Sequence, residues 1–182
     1  RGRCCTYPVS ENTHEHGILR TSMVPALIDP GLEARVRALS TEAVAALDGV
    51  GVFCVEWFLL PDGTVLINEI APRPHNSGHY TLDVCSVSQF EQQVRTLCGL
   101  PLGEPRLLCP AAMVNLIGEE FTRATTGALY AHLLSTSGAV LHIYGKTVVR
   151  PGRKMGHVTF LADTPEEART RALAFRQALT QT

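Results

Sequence analysis

Two apolar runs, residues 50–60 and 65–71, flank the tetrapeptide Pro61-Asp62-Gly63-Thr64. Asp-Gly between strand-like runs predicts a β-hairpin, because a two-residue type I′ turn needs positive φ at both central positions. With Asp62 and Gly63 as the turn, Pro61 faces Thr64, and the pairing runs outward until Glu56 lies opposite Glu69. Facing residues of an antiparallel pair hold their Cβ atoms ~4.5–5.5 Å apart, and like charges there repel. Both carboxylates also sit among apolar neighbours, where an unpaired charge is costly. Two arrangements relieve the conflict. The carboxyls can share one proton, with one pKa raised, or they can bind a hard divalent cation such as Mg²⁺, which takes oxygen ligands from one or two carboxylates and substrate phosphates. A one-residue slip of the register, or an exposed edge position for Glu56, would leave the pair without a role.

Behind the second run the chain changes character. Pro72-Arg-Pro-His-Asn-Ser-Gly-His-Tyr80 crowds Arg73, His75, Asn76, Ser77 and His79 behind a strand end. A core does not need such a cluster and a binding site does. Arg73 stands between two prolines, whose stiffness lowers the entropy of holding its guanidinium, and the guanidinium fork suits phosphate. Asn76 and Ser77 read either as donors to an anion or as turn residues before Gly78.

The remainder reads as a mixture of strands and helices, an α+β chain. Residues 4–9 and 18–24 are strand candidates around the polar Glu11-Asn-Thr-His-Glu-His16. Asp29-Pro30 opens a helix as cap and first residue, with Leu32, Val36, Leu39, Ala43 and Leu47 on one face and Gly49 and Gly51 at its end. Ser86-Val-Ser-Gln89 reads as a capping box, with Phe90, Val94 and Leu97 as the buried face and Gly99 as the stop. Residues 111–117, 140–144 and 156–161 are strand candidates, and residues 129–134 fit either state. Thr164 caps a last helix with Ala168, Ala172, Phe175 and Leu179 on its inner face. The loop 145–154 carries Lys146, Arg150, Arg153 and Lys154 and no acid, which is a solvated loop or an anion site.

Composition bounds the function. A chain of 182 residues, 45% hydrophobic and 18% charged with net charge −1, holds a sizeable core and has no general attraction to nucleic acid or anionic membrane. No apolar run is long enough to span a bilayer, and no secretory signal opens the chain. Cysteines 4, 5, 54, 85, 98 and 109 show no zinc spacing. Cys54 and Cys109 read as small buried hydrophobes, and the cytoplasm is the expected compartment. His14 and His16 could ligate zinc on spacing alone, but no further ligand accompanies them.

Glu56, Asn68-Glu69 and Ala71-Pro-Arg-Pro-His-Asn-Ser-Gly-His79 together resemble the C-terminal half of the 5-(carboxyamino)imidazole ribonucleotide synthase family of ATP-grasp enzymes. The resemblance runs from Tyr7-Pro8 to about Asp163. The Pro-Arg-Pro-His-Asn-Ser-Gly-His run is specific to that family, whereas the Glu…Asn-Glu set alone indicates only ATP-grasp. The resemblance implies a C-terminal part of an ATP-grasp domain over residues 1–100 and a small, β-rich subdomain over 101–182. The chain opens on Arg1 rather than Met, so it is expected to be a fragment, with the family's N-terminal domain and ATP lid upstream, and to be inactive alone.

The resemblance also assigns roles. It implies that Glu56 and Glu69 bind Mg²⁺, with Mn²⁺ as the alternative ion, and that Asn68, Glu69, His14 and His16 contact ATP; for Asn68 a structural amide in the strand is the competing reading. It places Arg73 and His75 at the reacting groups, and Arg73, Asn76, Ser77, Lys146, Arg153 and Lys154 on the ribonucleotide, with Lys146 and Arg153 at its phosphate. The implied reaction carboxylates 5-aminoimidazole ribonucleotide with bicarbonate and ATP, through carboxyphosphate, in purine biosynthesis. A homodimer and a mutase, separate or fused, are the associations compatible with it. Two other readings are a different ATP-grasp carboxylate–amine ligase and a non-catalytic interaction domain that keeps the fold.

Overall fold

A computed structural model describes residues 2–180. The chain forms two compact units: residues 2–9 with Leu27–Leu107, and Ser10–Ala26 with residues 108–180. The class is α+β, as expected. The division differs from a single cut near residue 100, because the segment 10–26 belongs to the sheet of the second unit.

In the first unit, helix α1 (Pro30–Ala46) begins as its sequence demands. The Asp29 carboxylate accepts from the backbone N–H groups of Gly31 and Leu32, at 2.8 and 3.2 Å. Only Val36 of its apolar positions is fully buried. Asp48, at φ 47°, turns the chain just beyond the helix, one residue before the glycine expected to do so. Strands β3 (Cys54–Leu59) and β4 (Val65–Ala71) form the expected hairpin. On one of its faces Trp57 donates its indole N–H to Ser40 of α1, at 3.0 Å. A 3₁₀ turn (Asn76–Gly78), helix α2 (Thr81–Val84) and helix α3 (Gln89–Leu97) follow.

Helix α3 departs from its sequence reading. Its cap is Ser88, whose hydroxyl accepts from Glu91 N–H at 3.1 Å. Ser86 instead bonds the segment at Glu104–Arg106. The buried residues are Gln89 and Gln92, while Phe90, Val94 and Leu97 are 38%, 57% and 75% exposed. The amides are buried because they act as backbone mimics. Gln92 accepts from Gly103 N–H at 3.0 Å and donates to Gly103 C=O at 2.7 Å. A primary amide that bonds both the N–H and the C=O of one residue leaves no buried polar atom unpaired, so the usual penalty is absent.

The second unit is an antiparallel sheet in the order β1-β2-β5-β7-β6, built from β1 (Glu11–Glu15), β2 (Ile18–Val24), β5 (Ala111–Ile117), β6 (Ala139–Ile143) and β7 (Lys154–Leu161). Residues 4–9, expected as a strand, are irregular, and the polar stretch between the two strand candidates forms β1. The reason lies in the turn. His16 (φ 51°) and Gly17 (φ 74°) take the two positive φ values of a type I′ hairpin, and they join β1 to β2 with Glu15 opposite Ile18. His16-Gly17 is thus the two-residue turn that Asp62-Gly63 was expected to be. Gly17→Ala should cost about 1 kcal/mol for a side chain in the left-handed region, which lowers the melting midpoint by roughly 2–4 °C in a scanning calorimeter.

Strand β5 is buried at every position. Helices α4 (Glu119–Ala124), α5 (Gly127–Ser135) and α6 (Pro165–Thr180) supply the core against Ala112, Val114, Leu116, Val158 and Phe160. The inner face of α6 is Ala168, Ala172, Phe175 and Leu179, as its spacing predicted, and Thr164 caps it by accepting from Glu167 N–H at 3.2 Å. The ambiguous segment 129–134 lies in α5. Among the described residues no helix is long and apolar enough to cross a membrane.

Candidate active site

Glu56 and Glu69 are register partners, as the sequence predicted, but by a different route. The turn is one residue longer than a type I′ hairpin. Gly63 N–H donates to Leu60 C=O and Leu60 N–H to Thr64 C=O, both at 2.9 Å, with Gly63 at φ 82°. Leu59 therefore pairs with Val65 and Trp57 with Ile67. Continued unbroken, that register would set Glu69 opposite Val55, on the other face. An extra residue, Asn68, bulges β4 and restores Glu56↔Glu69. Bulges re-aim side chains in this way. Asn68 donates its amide to the Glu56 carboxylate at 3.3 Å. Glu56, Asn68 and Glu69 thus present three oxygen-bearing side chains on one face of the hairpin.

The segment after β4 is tied to α3 by Gln89, which is 4% exposed. Its amide accepts from His75 N–H and donates to His75 C=O, both at 2.8 Å, and lies 2.9 Å from His79 Nδ1. A Cβ on Gly78 would approach Gln89 Oε1 to 2.8 Å, so glycine is needed for the amide to lie flat against the 3₁₀ turn. Asn76 and Ser77 do serve as turn residues in it. Ser77 is buried and its hydroxyl bonds His75 Nδ1 at 2.9 Å and Cys54 Sγ at 3.7 Å. His75 Nε2 stands 3.6 Å from the Glu56 carboxylate. Arg73 is exposed and donates to Pro74 C=O at 3.1 Å.

Cys54 lies on the Glu56 face and is partly rather than fully buried. Burial pushes its thiol up to about 11. The Ser77 hydrogen bond and the Arg73 charge work against that rise, and the Glu56 and Glu69 carboxylates add to it. Sequence reasoning missed two neighbours of the site, Gln89 and Cys54. Gln89 looked like a capping residue and Cys54 like a strand hydrophobe, and nothing in their local context signals otherwise.

In the second unit the basic loop is braced. Lys146 donates to Lys154 C=O, and its ammonium lies 5.5 Å from the centroid of the Tyr144 ring. The Tyr144 hydroxyl bonds the buried His157 Nδ1 at 2.8 Å, and burial pushes its pKa up. Arg153 donates to Val148 C=O at 3.0 Å, and its own C=O accepts from Gly118 N–H. Lys146, Arg153 and Lys154 are therefore half-buried side chains at the base of one loop. His14 is exposed on β1, and His16 is exposed in the turn beside it.

The chain is similar to known proteins along both of its parts. Residues 1–90 match the ATP-grasp domain, and residues 111–171 match the phosphoribosylaminoimidazole carboxylase C-terminal domain. The N5-carboxyaminoimidazole ribonucleotide synthase of Bacillus subtilis is 47% identical over 91% of this chain and 42% of its own length. The phosphoribosylaminoimidazole carboxylase of Schizosaccharomyces pombe is 41% identical over 93% of this chain and 32% of its own. The crystal structure of the Aspergillus clavatus N5-carboxyaminoimidazole synthase, in complex with ADP and 5-aminoimidazole ribonucleotide, superimposes with a TM-score of 0.89 at 36% identity. It covers 97% of this chain and 48% of that one. The chain thus spans less than half the length of these relatives. Both parts of the sequence, matched in order, and the fold they build lead to one assignment: the chain belongs to the ATP-grasp family, in its N5-carboxyaminoimidazole ribonucleotide synthase branch, and corresponds to the C-terminal part of those proteins.

Proposed function

We propose that this chain supplies the metal-binding and ribonucleotide-binding half of an ATP-dependent carboxylase that joins bicarbonate to the amine of 5-aminoimidazole ribonucleotide. The observation that carries this reading is the bulge at Asn68. It sets Glu56, Asn68 and Glu69 on one face, immediately before Arg73 and His75. Clustered hard oxygen donors fit Mg²⁺ and give no preference to a softer ion. Glu56 and Glu69 would hold that ion, which when bound neutralises charge on the transferring phosphoryl group.

The chain's own groups do the rest. Asn68 and Glu69, with His14 and His16, are assigned to the nucleotide. Bicarbonate is a poor electrophile, and its phosphorylation to carboxyphosphate makes it reactive toward an amine, provided water is excluded. His75 suits the carboxyphosphate, because Ser77 fixes its ring and Gln89 fixes its backbone. Arg73 and Asn76 are assigned to the ribonucleotide, whereas Ser77, expected there too, is buried against His75 and Cys54 and acts only through the His75 ring. Lys146, Arg153 and Lys154 are assigned its 5′-phosphate, a non-reacting group whose binding energy positions the rest.

The test is a chimera in which this chain replaces the matching C-terminal part of the Bacillus subtilis relative. It should hydrolyse ATP in response to bicarbonate and aminoimidazole ribonucleotide together. Arg153→Ala should raise the KM for the ribonucleotide ten- to a hundredfold and leave that for ATP nearly unchanged, since a charged hydrogen bond contributes ~1.5–3 kcal/mol. Stimulation by bicarbonate and another amine only would identify a different carboxylate–amine ligase. A folded chimera without turnover would identify a non-catalytic domain.

A further inference from the structure

We propose that Cys54, Glu56 and His75 form a second metal site, selective for a borderline-soft divalent cation such as Zn²⁺ over Mg²⁺. One donor atom from each of these side chains lies within 4.8 Å of the other two. Cys54 and Glu56 are two residues apart on one face of β3, and His75 reaches them from the segment after β4. A tetrahedral zinc centre with bonds of ~2.0–2.3 Å separates its donors by roughly 3.3–3.8 Å. The His75–Glu56 pair already stands at 3.6 Å, so small side-chain rotations close the triangle. Three protein ligands leave a fourth position open to water or phosphate, the pattern of accessible rather than purely structural zinc.

The donor set decides the ion. A thiolate and an imidazole favour zinc-like ions, whereas Mg²⁺ takes oxygen. Binding releases the thiol proton to solvent and forms the metal–sulfur bond, with no redox change. Ser77 is the orienting group. Its hydroxyl bonds both His75 Nδ1 and the Cys54 sulfur, and its backbone N–H donates to the same ring nitrogen at 3.4 Å; metal binding at Nε2 therefore moves the ring proton to Nδ1, where the hydroxyl accepts it. Hydrogen bonds of this kind around a ligand set commonly tune metal affinity. Glu56 belongs to both sites, so Zn²⁺ and the nucleotide-bound Mg²⁺ cannot share it. That antagonism rests on the proposed carboxylase reading, whereas the metal site itself does not.

The experiment titrates Co²⁺, a spectroscopic substitute for Zn²⁺, into the full 182-residue chain with the exposed Cys4 and Cys98 replaced by serine. The expected result is an intense sulfur-to-cobalt charge-transfer band in the near ultraviolet, bleached by stoichiometric Zn²⁺. Ser77→Ala should weaken zinc binding about tenfold, and Cys54→Ala, which deletes a ligand, by at least about a hundredfold. A band that survives Cys54→Ala, or displacement of the cobalt by equimolar Mg²⁺, would overturn the proposal. The band reports the site whether or not the chimera turns over ribonucleotide, so failure of one reading leaves the other standing.

Discussion

Replacing Glu69 with glutamine should lower bicarbonate-dependent ATP turnover by the chimera about a thousandfold, and should not destabilise the ion-free chain. The two effects have one cause. Glu56 and Glu69 are forced to face each other by the turn and the Asn68 bulge. Without an ion this is a like-charge pair across a hairpin, which costs roughly 0.2–1 kcal/mol. Glu69 is exposed, so solvent screens the repulsion and the gain from Glu69→Gln lies at the low end of that range. With the ion in place the charge belongs to the metal site. Losing an anionic ligand forfeits several kcal/mol of transition-state stabilisation, and each 1.36 kcal/mol is tenfold in rate. Calorimetry in chelator at low and high salt should show a small gain for the variant that vanishes as salt rises. Steady-state assays over a Mg²⁺ series should show the large loss. Full activity in the variant would remove Glu69 from the site, and a loss of activity matched by a fall in stability would make it a structural residue.

The second large effect is expected at Gln89. Gln89→Ala should destabilise the chain by about 4 kcal/mol, because His75 N–H and C=O both lose a buried partner and each unmet group costs ~1–3 kcal/mol in addition to the lost packing. Gln89→Glu separates the two halves of the clamp. A carboxylate still accepts from His75 N–H, but it has no proton to donate to His75 C=O, so about half the loss should remain. Urea titrations followed by Trp57 fluorescence measure both variants, since Trp57 reports on the unit that contains the clamp. Gly78→Ala should mimic Gln89→Ala in part, because its Cβ would press on the same amide oxygen. If Gln89→Ala unfolds at the wild-type midpoint, the His75 segment is held by something other than this amide.

These two sites also show where sequence reasoning succeeds and where it stops. The inner face of α6, the strand β5 and the Asp29 cap were legible, because each depends on spacing or chemistry within a few residues. The cluster of polar groups from Glu56 to His79 was legible as a candidate site for the same reason. The pairing of Glu56 with Glu69 was reached through two local errors that cancel. The turn is one residue longer than a type I′ hairpin, and Asn68 adds one residue on the opposite strand. Turn length and bulge are alternatives of nearly equal local cost, and the burial of one hairpin face chooses between registers.

The remaining errors share a different cause. Residues 11–15 carry no strand signal of their own because what holds them is distant in sequence: they pair with β2, which β5 holds about ninety residues later, and Arg169 and Arg176 of α6 bond Glu11 and Glu15. Helix α3 read as apolar-face-down because periodicity counts methyl groups. The fold buries Gln89 and Gln92 instead, each satisfied by a peptide brought to it from elsewhere in the chain. The sequence alone determined which residue types the site contains and which elements carry them. Tertiary structure decided which strand faces which, and which polar side chains could be buried, because a buried hydrogen bond needs a partner and that partner is rarely a sequence neighbour.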